Sequence, residues 1–414
     1  MAVYRITALL IGLLLGMLAV FLAAAQDEGS SPLLEMLALV PDNAATQAGS
    51  PVVSYADYRM MEAMRGITNA PLRSAEAMQT EEGRLWLATM RGLGAGMEMS
   101  YLLAYIEEMQ PLVGFIFADI DRSLIFGNPP SRGMILGGNF DADAIAMAYT
   151  AREFTETAIG DVSVWCGPEG CEEGMKINLQ DHNVANPFGG YLGRNEPLAV
   201  LPGYLADSAD YSVVQNILGA YEGAIPSLAD NPAMAALVRA ADDAGTVAQL
   251  LILNFTDVGM LTGDLLTDVP DNVRTALTTF GTLPPYQAFA LADVWDGADQ
   301  EITLLMLVYP NAAEAKVAAA ELSTRMETAV SLIQKTRFSQ LVADRNGVIG
   351  EPVVIGYESG YTVAVLPITA PIPGNESQPS VPGIPESGVI FRLFVEAIYQ
   401  RDLALIASTT LLPE

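Results

Sequence analysis

Histidine is almost missing from this sequence: His182 is the single copy among 414 residues. A metal centre built on two histidines of one chain is therefore excluded, and any Ser-His-Asp arrangement would have to use His182. Its neighbour Asp181 is badly placed to turn back and orient the same ring, and no G-x-S-x-G elbow occurs. Lysine is nearly as scarce, with only Lys176, Lys316 and Lys335. Lysine and arginine together number 20 against 49 Asp and Glu, a net charge of −29. Such a chain repels phosphate backbones and anionic lipid surfaces, so nucleic-acid binding is rejected. The acidic excess reads as a solvated surface that keeps the protein dispersed.

Only two cysteines are present, Cys166 and Cys171, inside Trp165-Cys-Gly-Pro-Glu-Gly-Cys171. The spacing is C-x4-C, which is neither the C-x-x-C of thiol oxidoreductases nor a zinc set without companion ligands. Pro168 and two glycines favour a tight turn, so a structural disulfide is expected. Charged residues make up just 17% of the chain and apolar ones 51%, which excludes a disordered protein. Its length allows two or three ordinary domains.

The N-terminus carries Met1 and Arg5, then an apolar run from Ile6 to Leu22, then Ala23-Ala24-Ala25 before Gln26. This is the pattern of a leader cleaved after a small residue, residues 1–25 forming a signal peptide or, uncleaved, a membrane anchor. Through Ala25 the run would reach about 30 Å as a helix, enough to span a bilayer. No later stretch is comparable. The expected location is extracytoplasmic: secreted, periplasmic or anchored to the outer face of a membrane.

Residues 26–110 read as a helical layer. Ser54 and Asp57 form a Ser-x-x-Asp start for a helix over Tyr55 to Arg65, stopped by Gly66. A second helix begins after Thr80 and ends at Gly92. A third places Met99, Leu102, Leu103, Ile106 and Met109 on one face before Pro111. Past Pro111 short apolar runs bounded by turn residues predict strands at Phe115 to Ile120, Gly133 to Phe140 and Val162 to Cys166. A helix is expected from Asp141 to about Phe154. The order returns with strands at Ala288 to Val294 and Glu301 to Tyr309 and a helix capped by Asn311 with Glu314 three residues on. Val353 to Tyr357 and Tyr361 to Leu366 read as a hairpin. Asn231 to Ala241 and Val389 to Arg401 are expected helices, followed by strands at Val247 to Leu253 and Leu403 to Ala407.

The stretches Pro111 to Ile120 and Pro285 to Val294 match without a gap at Pro, Phe, Ala and Asp, which predicts an internal duplication. The fold class is α+β: a helical N-terminal layer, then two related modules, 111–270 and 271–414, with mostly antiparallel sheets and packed helices. Asp119 and Asp293, at the ends of the matched strands, are expected to form turns. Ala370 to Gly388, with five prolines, and Asn178 to Pro197 read as surface loops. Ser227-Leu-Ala-Asp-Asn-Pro232 opening a helix that leads to a strand, with strand-strand-helix modules behind a leader, resembles uncharacterised exported bacterial proteins of unknown function. The resemblance covers about half the chain and implies a fold and a location, not a mechanism.

Candidate chemistry concentrates in Asp181 to Arg194, where His182, Asn186, Tyr191 and Arg194 combine imidazole, amide, phenol and guanidinium among flexible glycines. The segment reads either as a structural turn near the disulfide or as a ligand-binding loop. Gly189-Gly190-x-x-Gly193 is neither a P-loop nor a dinucleotide fingerprint. Asp141 with Asp143, and Asp293, Asp296 and Asp299, lack the spacing of a calcium loop. Eight methionines between Met60 and Met109 would suit Cu(I), though methionine also fills helical cores. No cofactor signature is present. The expected function is an exported binding or interaction protein for a small molecule or a protein, its site in a cleft between the two modules. A carboxylate-based secreted hydrolase and a methionine-rich copper-binding envelope protein are the alternatives.

Overall fold

Apolar residues fill nearly every position of the central strands, the pattern expected of a sheet covered on both faces. The computed structural model describes residues 31–67, 74, 76–91, 104–254, 283–331, 333–372, 388–402 and 404–407. Of a short first unit, Met1–Pro32, only Ser31 and Pro32 are described; the second unit is Leu33–Glu414. The protein is α+β, with eleven helices and thirteen antiparallel strands among the described residues.

The N-terminal part contains α1 (Pro32–Leu37), α2 (Ala44–Gln47), β1 (Val53–Asp57), α3 (Tyr58–Met64), α4 (Glu81–Arg91) and α5 (Ile106–Val113). Then come β2 (Ile120–Phe126), β3 (Gly133–Gly138), α6 (Ala142–Ala151), β4 (Thr155–Ile159), β5 (Val162–Cys166), β6 (Leu198–Leu201) and β7 (Tyr204–Asp207). Helices α7 (Tyr211–Tyr221) and α8 (Pro232–Asp242) lead into β8 (Thr246–Asn254), β9 (Ala288–Trp295) and β10 (Gln300–Tyr309). The chain continues through α9 (Ala312–Thr328), α10 (Phe338–Ala343), β11 (Val348–Ile349), β12 (Val353–Gly356), β13 (Thr362–Pro371) and α11 (Val389–Tyr399). Helix starts follow cap chemistry: Asp141, Asn231 and Asn311 each accept hydrogen bonds from backbone amides of the first turn.

The strands form one sheet in the order β11-β13-β10-β9-β8-β1-β2-β3-β7-β6-β5-β4, with β12 also on β13. Alternation along each strand sends Tyr55, Leu124, Leu250, Ala290 and Met306 to one face, under α1, α7 and α8. The opposite face carries two separate cores. One packs Leu251, Phe289 and Leu305 under α9, α10 and α11. The other gathers Ala56, Leu136, Leu198 and Leu205 with α3 to α6, around Trp86. Edge strand β4 (Thr-Glu-Thr-Ala-Ile) has four exposed residues out of five, and only Ile159 packs against the core. Among the described residues no helix is long and apolar enough to cross a membrane.

Three expectations fail locally. Residues Phe115 to Ile120 are not a strand: α5 runs through Pro111, Gly114 closes it at φ +82°, and Phe117–Asp119 is a 3-10 turn before β2. Asp119 tightens that turn by accepting from the Ile116 amide at 3.0 Å, so its expected turn role holds. Tyr55 does not begin a helix, because Val53–Asp57 pairs with both β2 and β8, and sheet burial overrides the local helix signal. The cap is Asp57, which accepts from the Met60 amide at 2.8 Å. The strand expected near the C-terminus is replaced by turns at Ala404, Leu405 and Ile406. Side chains rather than a neighbouring strand take the carbonyls there: the Tyr286 hydroxyl donates to Ile406 and the Arg325 guanidinium to Leu405 and Ala407.

Asp293 is a further correction, since it is buried in the middle of β9 and forms no turn. The gapless match of Pro111 to Ile120 with Pro285 to Val294 therefore does not align two strands. A common pairing order exists elsewhere: hairpin β2-β3 is followed by α6 and a return beside β3 in β7, and hairpin β9-β10 by α9 and a return beside β10 in β13. Met99, Leu102, Leu103, Leu403 and most of the proline-rich stretch lie outside the described residues.

Candidate functional site

The loop that follows β5 is held by covalent and hydrogen bonds. Cys166 and Cys171 are joined by a disulfide. Beyond it, Asn186 accepts from the Phe188 amide and donates to the Phe188 carbonyl, both at 3.1 Å, fixing a tight turn. Phe188 is buried against Phe115, with ring centroids 6.0 Å apart. Gly189 and Gly193 occupy left-handed backbone, at φ +66° and +62°, where side chains are strained. A Cβ at Gly193 would also lie 1.8 Å from the Asn178 carbonyl oxygen.

This loop, the β2-β3 turn and the end of β7 enclose a cleft of about 690 Å³. Its charged lining is Arg132, Arg194, Glu196 and Asp207, and Pro129, Pro130 and Pro187 contribute an apolar wall. Asp207 is 4% exposed and stands opposite Met134 on β3 and Leu198 on β6. Ser208, the next residue, donates to the Arg132 carbonyl at 2.7 Å and so ties the β2-β3 turn to the end of β7.

Burial pushes the Asp207 carboxyl well above the usual carboxylate range, and the neighbouring Glu196 charge and hydrogen bond push it the same way. Glu196 is raised as well, because burial outweighs its hydrogen bonds with Asp207 and Arg194. Asp207 Oδ1 is buried without a donor from any other group. Protonation of one of the two carboxyls relieves their like-charge repulsion, which is the direction in which burial pushes both. Arg194 Nη1 donates to Glu196 Oε1 at 3.3 Å. Burial lowers Arg132, while Tyr191, Asp207 and Glu196 oppose that shift.

Of the four residues expected to contact a ligand, Tyr191 and Arg194 line the cleft. Asn186 lies buried beneath it as the loop's internal brace, and His182 is exposed on the loop and is not among the lining residues. The cleft falls within residues 129–209 rather than between two modules. Arg132, Glu196 and Asp207 escaped the sequence reading, because nothing local separates two carboxylates from the other acidic residues of the chain. Asp141 caps α6, and Asp296 accepts from the Ala298 amide in the β9-β10 turn. Met61, Met64, Met90 and Met109 are buried in the same hydrophobic core as Trp86. Among the described residues no three acidic, histidine or cysteine side chains are grouped to hold a metal ion.

The fold and cleft define a mixed α+β protein with one long antiparallel sheet and an arginine-carboxyl pocket at one end of β7. Comparison with protein-family models, curated proteins and solved structures finds no match.

Proposed function

We propose that the protein is an exported, extracytoplasmic binding protein whose ligand seats in the cleft beside Asp207. The observation that carries this reading is convergence: two guanidiniums and two buried carboxyls, from three separate segments, meet at one apolar-walled cleft. Such a site suits a small molecule with an apolar body and a head that both donates and accepts hydrogen bonds. The leader pattern of the sequence and the disulfide support the compartment. The recurring hairpin-helix-strand order supports a scaffold of two related modules, the first of which holds the site.

Native mass spectrometry of protein purified from its own envelope tests the reading. A retained small molecule, lost in Arg132→Ala and Tyr191→Ala variants that still fold, is the expected result. Equal retention by these variants and the parent would overturn the cleft assignment. Intact mass after alkylation tests the compartment: a chain starting near Gln26 with no alkylated cysteine is expected, and two alkylated cysteines in unreduced protein would contradict it.

The neighbouring carboxyls Glu196 and Asp207, both raised by burial, favour hydrolysis as a second reading. In it, one carboxyl of the pair takes a proton from water while the other gives its proton to a leaving group. Turnover of the retained molecule, abolished by Glu196→Gln with binding intact, distinguishes hydrolysis from binding alone.

A further inference from the structure

A second carboxyl pair lies in the sheet itself, away from the cleft. Asp293 on β9 and Glu301 on β10 point to the same face, being diagonal neighbours across the Asp293-Thr303 register pair. They are 1% and 2% exposed. Gln249, opposite Asp293 on β8, donates to Asp293 Oδ2 at 3.1 Å, and Asp293 Oδ1 is buried with no hydrogen-bond partner. Both Glu301 oxygens accept from the Gly388 amide, at 3.0 and 2.9 Å. Gly388 is the residue from which α11 starts, in left-handed backbone at φ +67°, and it has no side chain with which to cap its own helix. Glu301 thus fastens the start of α11 to the sheet from a distant strand.

We propose that Asp293 and Glu301 form a proton-controlled latch that holds the N-terminal end of α11 against β10. The charged groups facing the pair, among the described residues, are each other and the buried Arg65 that follows α3. One guanidinium does not compensate two carboxylates on a buried sheet face. Burial raises Asp293 to about 7, and burial and the Asp293 charge raise Glu301. In the closed state the pair therefore holds one proton toward neutral pH. Releasing α11 exposes the carboxyls to water, where they ionise at ordinary acidic values, so rising pH favours release. The latch is tight in acid and loosens toward neutrality. Tyr399, in the last turn of the same helix, lies within electrostatic reach of Arg132.

Hydrogen exchange of the full chain, corrected for intrinsic rates, tests this at the Arg392 amide, which bonds to the Gly388 carbonyl. Between pH 5 and 7 its protection should fall by up to about tenfold per pH unit and then level off, the slope of one proton released on opening. Core amides of β3 should exchange more slowly at every pH, which marks the opening as local. The double variant Asp293→Asn/Glu301→Gln keeps the hydrogen-bond acceptors and should show high protection with no slope. Circular dichroism checks that it folds; if it does not, each single variant should still reduce the slope. A flat parent profile, a slope unchanged in the variants, or a common rate for Arg392 and β3 would overturn the latch.

Discussion

Asp57 joins two elements with one carboxylate: Arg122 Nε donates to its Oδ2 at 2.7 Å, and the Met60 amide donates to its Oδ1 at 2.8 Å. The side chain is nearly buried, and it both caps α3 and pins β1 to β2. Asp57→Ala should lower stability by about 2–4 kcal/mol, because a lost cap is worth roughly 1 and a broken, mostly buried ion pair more. Urea denaturation measures it. A loss below about 0.5 kcal/mol would mean that the pair behaves as an exposed surface bridge.

Phe115 couples the helical N-terminal layer to the loop of the cleft, stacking edge-on with Phe140 at 5.2 Å and touching Phe188. Phe115→Ala should cost about 3–5 kcal/mol, and Phe289→Ala, equally buried in a different core, a similar amount. Only the first should also weaken ligand retention, since only Phe115 supports the turn before Gly189 and Tyr191. Equal effects of both variants on retention would argue against that coupling.

Arg325 is fully buried on α9, paired with Glu321 at 2.8 Å and donating to the Ala407 carbonyl at 2.5 Å. Truncating it leaves the partly buried Glu321 carboxylate without this partner and frees the C-terminal turns. Arg325→Ala should destabilise by about 3–5 kcal/mol and increase protease cleavage after residue 400, while Arg325→Met with Glu321→Gln should recover part of the loss. Limited proteolysis with mass readout, alongside denaturation, checks both effects.

Global stability should depend on pH through Asp293. Its carboxyl ionises near 3.8 when unfolded and at about 7 when folded, so the folded state binds the proton more tightly. The stabilisation is complete below the unfolded value and declines as pH rises toward 7, by up to about 1.4 kcal/mol per unit. Asp293→Asn should flatten this part of the profile. Urea titrations at pH 4, 5, 6 and 7 provide the slope, and an unchanged slope in the variant would assign it to other groups.

How much of this was readable without the fold differs by element. The helix starts at Asp141, Asn231 and Asn311 follow from short-range cap chemistry, and β9 and β10 from apolar runs longer than any turn allows. The start of α3 was displaced to Ser54 because Ser-x-x-Asp fits a capping box, whereas Val53 to Asp57 gains more by pairing on both edges. In the site, Tyr191 and Arg194 were legible because aromatic and basic side chains among glycines are uncommon in this sequence. Glu196 and Asp207 were not, because a carboxylate's role here depends on losing its water.

The sequence by itself determined the α+β class, the strand and helix periods of the central elements, the cysteine turn and the acidic surface. Each follows from the spacing of residues within a few positions of one another. The tertiary structure decided which strands share edges, where Arg132 from one turn meets Glu196 and Asp207 from others, and why burial raises the Asp293 and Glu301 carboxyls. Those properties depend on desolvation and on contacts between residues far apart in the chain, as between Val53 and Ile252 or Glu301 and Gly388, and burial of that kind exists only once the sheet has closed around them.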